Sequence, residues 1–361
     1  MNHSKKKKMI IKHFKVTNLN QNQASNFDLS FNEDINILTG KNGTGKTTIL
    51  KLIWYLISGN IDRIMTEEAI FEEIAIETNT FSLKIKIDQL ISLTWNIGKG
   101  EQHINLEAYK ENGFYQFLNR EILKVSDSSI LFPTFRRMEG GFFTSAKQRR
   151  HIYQTLEEGV DNLSKDLSVP QHQFITSIST DDIVNFMTRQ YAEVSEKNNE
   201  LQKELTKFIK ERTTQASFKT EREALNEIQL KTDEITEKTD KLLKPFTTLS
   251  KWVIDIFQYQ GIKLTDNLTL GKATNALSSD KLSSGEKQML SFLCYNAFYH
   301  QAIIFIDEPE LSLHVDWQRT LFDILLEQGT ENQFIIATHS PFIYSQFPDK
   351  ELILDEYKGG E

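Results

Sequence analysis

A glycine-rich segment between a strand and a helix restricts the folds open to this 361-residue chain. Residues 40–47 read Gly-Lys-Asn-Gly-Thr-Gly-Lys-Thr and match the pattern G-x-x-x-x-G-K-[ST] at every fixed position. Apolar residues at positions 35–38 predict a strand before it, and the spacing of apolar residues in 49–57 predicts a helix after it. Strand, glycine loop and helix in this order predict an α/β fold.

The chemistry of this segment is that of a phosphate-binding loop. Its glycines let backbone N–H groups converge on a triphosphate, and the N-terminus of the following helix adds its dipole. Lys46 is the expected bridge between the β- and γ-phosphates, and the Thr47 hydroxyl is the expected Mg²⁺ ligand. A chance glycine-rich turn is disfavoured, because the four fixed positions and both flanking elements agree.

Charge and cysteine content narrow the class of protein. The formal net charge is -8, so any contact with nucleic acid or an anionic membrane has to be a local patch. The single cysteine, Cys294, excludes an internal disulfide and favours a reducing compartment, which makes the cytoplasm the expected location. We expect no export signal, because no apolar segment follows the lysines at 5–8, and no membrane span, because the uncharged stretch 289–306 carries polar side chains.

Apolar periodicity divides the chain into three parts. Strand patterns in residues 9–39 and 71–96, with a short strand at 130–132, predict a mixed sheet. Residues 181–244 contain no Gly or Pro and show helical spacing, and after Pro245 short strands near 261–264 and 267–270 resume the globular pattern. We therefore expect residues 1–140 and 251–361 to be the two halves of one α/β domain, with a helical insertion at 141–250.

The insertion is expected to contain two helices joined by a turn near residues 213–217, as an antiparallel hairpin. The apolar residues that mark them are Leu201, Leu205 and Phe208, then Phe218, Leu225, Ile228, Ile235 and Leu242. Two interpretations stay open. One is a helical bundle packed on the sheet domain, and the other is a protruding coiled-coil arm, for which clean heptads are too few.

Two acidic residues end a predicted strand in the C-terminal part. Residues 303–306 and 334–337 are continuous apolar runs separated by a helix, which predicts a parallel unit covered on both faces. Asp307 is expected to hold Mg²⁺ through water, and Glu308 to orient or deprotonate an attacking water. Adjacent acids also occur in solvated turns, but the phosphate loop in the same chain favours the catalytic interpretation.

Two further segments are candidate parts of the same site. Ser283 and Glu286 have the S-x-x-E spacing of a capping box, and a helix N-terminus with Ser and Gly is also an anion site. A cap and a functional segment are compatible, and both interpretations stay open. His339 follows the second apolar strand, where an imidazole is placed to sense a γ-phosphate, although a single histidine there is commonly structural.

These four elements, in this order, resemble those of the ATP-binding cassette (ABC) branch of the AAA family ATPases, which includes SMC proteins, RecF and the overcoming-lysogenization-defect ATPases. The resemblance covers roughly residues 9–60 and 270–355. The sequences Asp-Glu-Pro-Glu-Leu-Ser-Leu-His at 307–314 and Ala-Thr-His-Ser-Pro-Phe at 337–342 are similar to those in antiphage systems such as Septu, PARIS and retrons. The activity implied is ATP hydrolysis coupled to control of a nuclease or another toxic effector.

The resemblance also implies roles for individual residues, with ATP and Mg²⁺ as ligands. The fold implied is an ATPase head with a mixed sheet flanked by helices. Lys46, Glu308 and His339 take catalytic roles, and Thr47 and Asp307 bind the metal. The nucleotide contacts are Gly40, Asn42, Gly43, Thr44, Gly45, Lys46, Thr47, Thr48, Ser283, Gly285 and Glu286.

In this family two chains close head to tail, so the resemblance implies a homodimer or a higher multiple in which residues 283–286 of one chain cover the ATP of the other. Residues 18–21 read Asn-Leu-Asn-Gln in place of the basic run usual in the branch, and Gln89 is an unconvincing match for the Q-loop. Arg136 and Arg137 are either a phosphate or partner contact or solvated surface.

Two functions follow as hypotheses. The first is an ATPase that senses or regulates a separately encoded effector, a nuclease or toxin, in antiphage defence. It is favoured by the similarity of residues 307–314 and 337–342 to motifs of antiphage systems. It is also favoured because the sequence shows no set of residues typical of a nuclease site, and because we expect nothing of domain size after the last strand. The alternative is an SMC/RecF-like DNA repair ATPase that binds DNA across the closed dimer. A membrane transporter subunit is disfavoured, because the insertion occupies the place of its compact helical lobe.

Overall fold

The structure of the chain is a computed structural model. It describes residues 8–19, 26–66, 71–88, 90–98, 100–106, 112–134, 137–138, 164–169, 171–178, 180–214, 221–257 and 283–354. The strands predicted near residues 261–264 and 267–270, the lysines at 5–7, Gln89 and Arg136 lie outside these residues. Among the described helices, none has the length and apolar character needed to span a bilayer.

The secondary structure alternates between strands and helices at both ends of the chain. The strands are β1 (Ile11–Thr17), β2 (Phe27–Ser30), β3 (Ile35–Thr39), β4 (Glu73–Thr78), β5 (Ser82–Ile87), β6 (Ile91–Asn96), β7 (Glu101–Leu106), β8 (Ser129–Phe132), β9 (Arg137–Met138), β10 (His172–Phe174), β11 (Ser177–Ile178), β12 (Ile303–Asp307), β13 (Gln333–Ala337) and β14 (Glu351–Ile353). The helices are α1 (Lys46–Ile57), α2 (Ile61–Thr66), α3 (Asn112–Val125), α4 (Thr180–Thr214), α5 (Glu221–Phe257), α6 (Ser284–Phe298), α7 (Val315–Glu327) and α8 (Pro341–Tyr344).

Twelve of the described strands form two six-stranded sheets that differ in strand direction. One is antiparallel, in the order β2-β1-β4-β5-β6-β7, and the other is parallel, in the order β10-β8-β12-β13-β3-β14. The predicted α/β class is confirmed, and the mixed sheet expected from the sequence is resolved into these two. Strands β4 to β7 follow each other through short turns, which give antiparallel pairs, whereas helices lie between β3, β8, β12 and β13, as parallel pairing requires.

The main core lies between these sheets and α1. Strands β3, β8, β12 and β13 are buried along their whole length, as expected for a parallel sheet covered on both faces. Trp54 of α1 is completely buried, and its ring centroid lies 5.6 Å from that of Phe174 in β10. Because the carboxyl ends of β3, β12 and β13 meet at one edge, the loops that follow them are brought together there.

The chain separates into two compact units. The first contains Met1–Ile178, Ser284–Met289 and Tyr299–Glu361, and the second contains Ser179–Ser283 and Leu290–Phe298. Strand β10 belongs to the first unit because it pairs with β8. The boundaries expected at residues 140 and 250 do not coincide with these units, and the division into three parts stays a prediction.

Helices α4 and α5 form the main part of the second unit. Their contacts run antiparallel, as predicted for a hairpin: Glu204 pairs with Lys231 at 2.7 Å, and Asn198 accepts a hydrogen bond from Thr239 at 3.1 Å. Helix α5 continues through Pro245 to Phe257, so helical structure extends beyond the run of residues 181–244 that the sequence indicates. The burial of Phe246, Leu249 and Val253 in this unit offsets the missing backbone hydrogen bond.

Candidate active site

The phosphate loop lies between the carboxyl end of β3 and the start of α1. Gly45 occupies the N-cap position of α1 with φ of 93°, a left-handed conformation that favours glycine. The Thr44 hydroxyl donates to the Lys41 carbonyl at 2.9 Å and closes the loop on itself. Asn42 and Gly43 are exposed at its tip, and Thr48 is half-buried in the first turn of α1. Residues 40–48, the predicted nucleotide contacts, thus lie in the loop between β3 and α1 and in the first turn of α1.

Lys46 is a buried cation at the base of this loop. Its side chain folds back, and Nζ donates to the carbonyl oxygens of Gly40 at 2.9 Å and Lys41 at 3.0 Å. Burial lowers the pKa of the ammonium group, and the nearby carboxylates of Glu308, Asp307 and Glu310 oppose this shift. Two backbone carbonyls and three nearby carboxylates therefore surround this ammonium group.

Asp307 ends β12 beside the loop and is 2% exposed. Its Oδ1 accepts a hydrogen bond from the Thr47 hydroxyl at 3.2 Å, and its Oδ2 accepts one from Thr134. The structure therefore brings together the two predicted metal ligands, which lie 260 positions apart in the sequence. Both are hard oxygen donors, and a pair of such donors completed by water and phosphate is a usual Mg²⁺ site.

Glu308 follows in a left-handed conformation with φ of 47°, which turns its side chain out of the strand direction. Its backbone N–H donates to the Ala337 carbonyl at 2.8 Å, and its Oε1 lies 4.0 Å from Nε2 of His339. Burial raises the pKa of the Glu308 carboxyl, and Asp307 and Glu310 raise it further, while His339 and Lys46 act against them. A carboxylate with a raised pKa is a better proton acceptor.

The segment predicted as a signature lies at the start of α6. Ser283 directly precedes the helix and Glu286 is its third residue, the positions of a capping box. A Cβ added at Gly285 would lie less than 3.0 Å from the Ser312 carbonyl oxygen, and the Gln288 side chain donates to the Pro309 carbonyl at 2.8 Å. The start of α6 is therefore fixed against the turn that follows β12.

Sequence reasoning missed three residues of this region. Thr134, just beyond β8, contacts Asp307, and Glu310 and Gln318 bind the segment around His339. Thr134 meets Asp307 because residues that follow neighbouring parallel strands lie at one edge, and only the structure shows that β8 and β12 are neighbours. The backbone of Arg137 lies in β9, which pairs with β11. Among the described residues, no group of three or more His, Cys, Asp and Glu side chains is arranged to hold a metal.

The sequence model of the family described as "AAA ATPase domain" matches residues 9–344. A relative named retron Vc95 probable ATPase, from Vibrio cholerae serotype O1 biovar El Tor, is 23% identical over 362 residues, which cover 90% of this chain and 69% of that protein. The endonuclease GajA of Bacillus cereus is 37% identical over 75 residues, 19% of this chain and 13% of that protein.

A third relative is the DNA replication and repair protein RecF of Natranaerobius thermophilus, 30% identical over 135 residues, which cover 37% of this chain and 34% of that protein. Among solved structures, the Smc head domain of Pyrococcus furiosus, bound to the C-terminal domain of ScpA, aligns over 93% of this chain and 91% of that chain. The TM-score of that alignment is 0.38 and the sequence identity is 13%.

Proposed function

This chain belongs to the AAA ATPase domain family, and from that premise we propose that it hydrolyses ATP at the site around residues 40–48 and thereby regulates a separately encoded effector in antiphage defence. As a member of this family it is an ATPase. The observation that supports the site is the meeting of three segments that are remote in sequence. The Thr47 hydroxyl lies 3.2 Å from Asp307, and Glu308 lies 4.0 Å from His339.

In this proposal the loop binds the triphosphate. Lys46 gives up the carbonyls of Gly40 and Lys41 for the β- and γ-phosphate oxygens, since hydrogen bonds to charged groups are the stronger ones. Thr47 and Asp307 hold Mg²⁺, which when bound neutralises phosphate charge and polarises the γ-phosphoryl group. The oxygen donors and their 3.2 Å contact fit this ion.

Glu308 is the proposed base for hydrolysis. Its carboxylate takes a proton from the attacking water, whose oxygen forms a bond to the γ-phosphorus. The bond to the bridging oxygen breaks, and the electron pair leaves on ADP. Nε2 of His339 lies 4.0 Å from Oε1 of Glu308, which places the imidazole where it can donate a hydrogen bond to the γ-phosphate.

We place residues 283–286 on the ATP of a second chain, by the resemblance given above. The Ser283 hydroxyl and the N-terminus of α6 then neutralise γ-phosphate charge only in a closed dimer. The Glu308→Gln chain with ATP is therefore expected to elute at twice the mass of the nucleotide-free chain. A Glu308→Gln chain that stays monomeric at saturating ATP would contradict the head-to-tail assignment.

The defence role is supported by the relatives. One is named as a retron ATPase and matches 90% of this chain, and the endonuclease GajA shares a shorter segment. The test is affinity purification of the Glu308→Gln chain from its own host, with and without phage, with bound proteins identified by mass spectrometry. Co-purification of a nuclease or toxin encoded next to this chain supports the proposal, and the Lys46→Ala chain is the control in which ATP binding is expected to be weakened.

An alternative function is DNA repair, and the match to RecF over 135 residues favours it. It predicts ATP turnover that rises on addition of duplex DNA and loses this rise steeply as salt increases. Recovery of DNA with repair proteins, and no neighbouring toxin, would replace the defence role with this one.

A further inference from the structure

The carboxylate of Glu310 connects the turn after β12 to the segment after β13. Its Oε1 accepts a hydrogen bond from the backbone N–H of His339 at 2.7 Å, and its Oε2 accepts one from the Thr338 hydroxyl at 2.8 Å. The two donors lie 28 and 29 positions after Glu310 in the sequence, and both bind its one carboxylate. Hydrogen bonds to a carboxylate are about twice as strong as those between neutral groups, so these two bonds hold residues 338 and 339 to Glu310.

Gln318 of α7 makes a second connection on the other side of His339. Its Oε1 accepts from the Ser340 hydroxyl at 2.6 Å, and its Nε2 donates to the Leu313 carbonyl at 2.9 Å. The Ser340 N–H in turn donates to the Thr338 hydroxyl at 3.0 Å. Residues 338–340 are thus held on both sides of His339 by groups that belong to the region just after Glu308.

This arrangement fixes the backbone of His339 and leaves its ring half-exposed. The side chains of His339 and Glu308 are 35% and 28% exposed, so both are open to a substrate that binds at this edge of the sheet in the proposed function. The main chain at residue 339 is the origin from which the χ1 and χ2 rotamers of His339 place Nε2. The distance of 4.0 Å between Nε2 and Glu308 Oε1 therefore depends on the position of the main chain at residue 339.

We propose that Glu310 is a positioning residue for ATP hydrolysis: it acts through His339, and it holds the imidazole beside Glu308. The inference rests on the proposed function, since it concerns the same site. Glu310 touches neither a phosphate nor the attacking water in this account. It sets the distance at which His339 works, and Gln318 shares this task.

The first test measures the contact itself and needs no activity. In the nucleotide-free chain we expect the hydrogen bond to Glu310 to protect the His339 amide from hydrogen exchange. Glu310→Ala removes the acceptor, and Glu310→Gln leaves one amide oxygen for two donors. We expect exchange at His339 to rise on the order of tenfold in Glu310→Ala. Glu327→Gln, the same chemical change at an exposed position of α7, is the control. Unchanged exchange at His339 in both Glu310 variants would overturn the contact.

The second test asks whether Glu310 acts through His339. For Glu310→Gln we expect kcat to fall on the order of tenfold while the Kd of a fluorescent ATP analogue stays within twofold, because the displacement affects the reacting groups and not the phosphate loop. In a His339→Ala background the same substitution should lower kcat by much less than tenfold, and the remaining effect is the loss of the Glu310 charge near Glu308 and Lys46. If the fall in kcat of the double variant equals the product of the falls in the two single variants, the two residues act independently and the positioning role is overturned.

The two tests separate this inference from the proposed function. A wild-type chain without ATP turnover contradicts the proposed function, and the exchange result still decides whether Glu310 holds His339. If Glu308→Gln loses the ATP turnover of the wild type while Glu310→Gln and Glu310→Ala keep it, the proposed function is supported and the inference is overturned.

Discussion

Adding a single methyl group at Gly285 tests whether the start of α6 must pack against the turn after β12. The new Cβ would lie less than 3.0 Å from the Ser312 carbonyl oxygen. To restore an ordinary contact of 3.4 Å, the carbonyl has to move by about 1 Å. Because the N-terminus of α6 is proposed to act on a γ-phosphate, such a shift should lower kcat on the order of 10²-fold.

The assay is phosphate release by the Gly285→Ala chain at saturating MgATP. Binding of a fluorescent ATP analogue to the single chain should stay within about threefold of wild type, since residues 40–48 are untouched and Gly285 is proposed to act on the ATP of a second chain. Overpacking should cost about 1–3 kcal/mol of stability. Gly113→Ala is the matched control, because a Cβ there meets nothing within 4 Å. Wild-type turnover in Gly285→Ala would refute the reasoning that this close approach positions a catalytic helix.

Two further variants test the loop and the core. Lys46→Ala should weaken ATP binding by about 100-fold, since a hydrogen bond to a charged group contributes about 1.5–3 kcal/mol, and titration with a fluorescent analogue measures this against exposed Lys12→Ala. Gln333 is completely buried and makes three hydrogen bonds, to Ile11 N and O and to Asn32 O, at 2.7–2.9 Å. Gln333→Leu should therefore cost about 3–6 kcal/mol in urea unfolding, whereas Gln346→Leu at an exposed position should cost less than about 0.5 kcal/mol.

The parts of the site that are continuous in sequence could be predicted. Residues 40–47 carry their strand, glycines and helix within one short stretch, and the acids at 307 and 308 end an apolar strand. Local patterns of this kind report the secondary structure around them. The α/β class followed from the same runs, because a buried parallel strand is apolar on both faces.

The contacts that complete the site are long-range and left no local signal. Thr134 reaches Asp307 across 173 positions, a pairing that depends on β8 lying next to β12 in the sheet. Glu310 looked like one more acid in the same turn, and its bonds to residues 338 and 339 exist only once β12 and β13 are parallel neighbours. Helix α5 passes through Pro245 because burial of the residues that follow it outweighs the local rule against proline in helices.

The most direct test of the central claim, that this chain hydrolyses ATP with Glu308 as the base, is a comparison of wild type and Glu308→Gln. Both should bind MgATP with similar affinity, because Glu308 has no place in the proposed triphosphate contacts. Phosphate release should fall at least about 100-fold in Glu308→Gln, since general base catalysis contributes about 10²–10⁴-fold. Equal phosphate release by the two chains would contradict the assignment of the base and, with it, this account of the site.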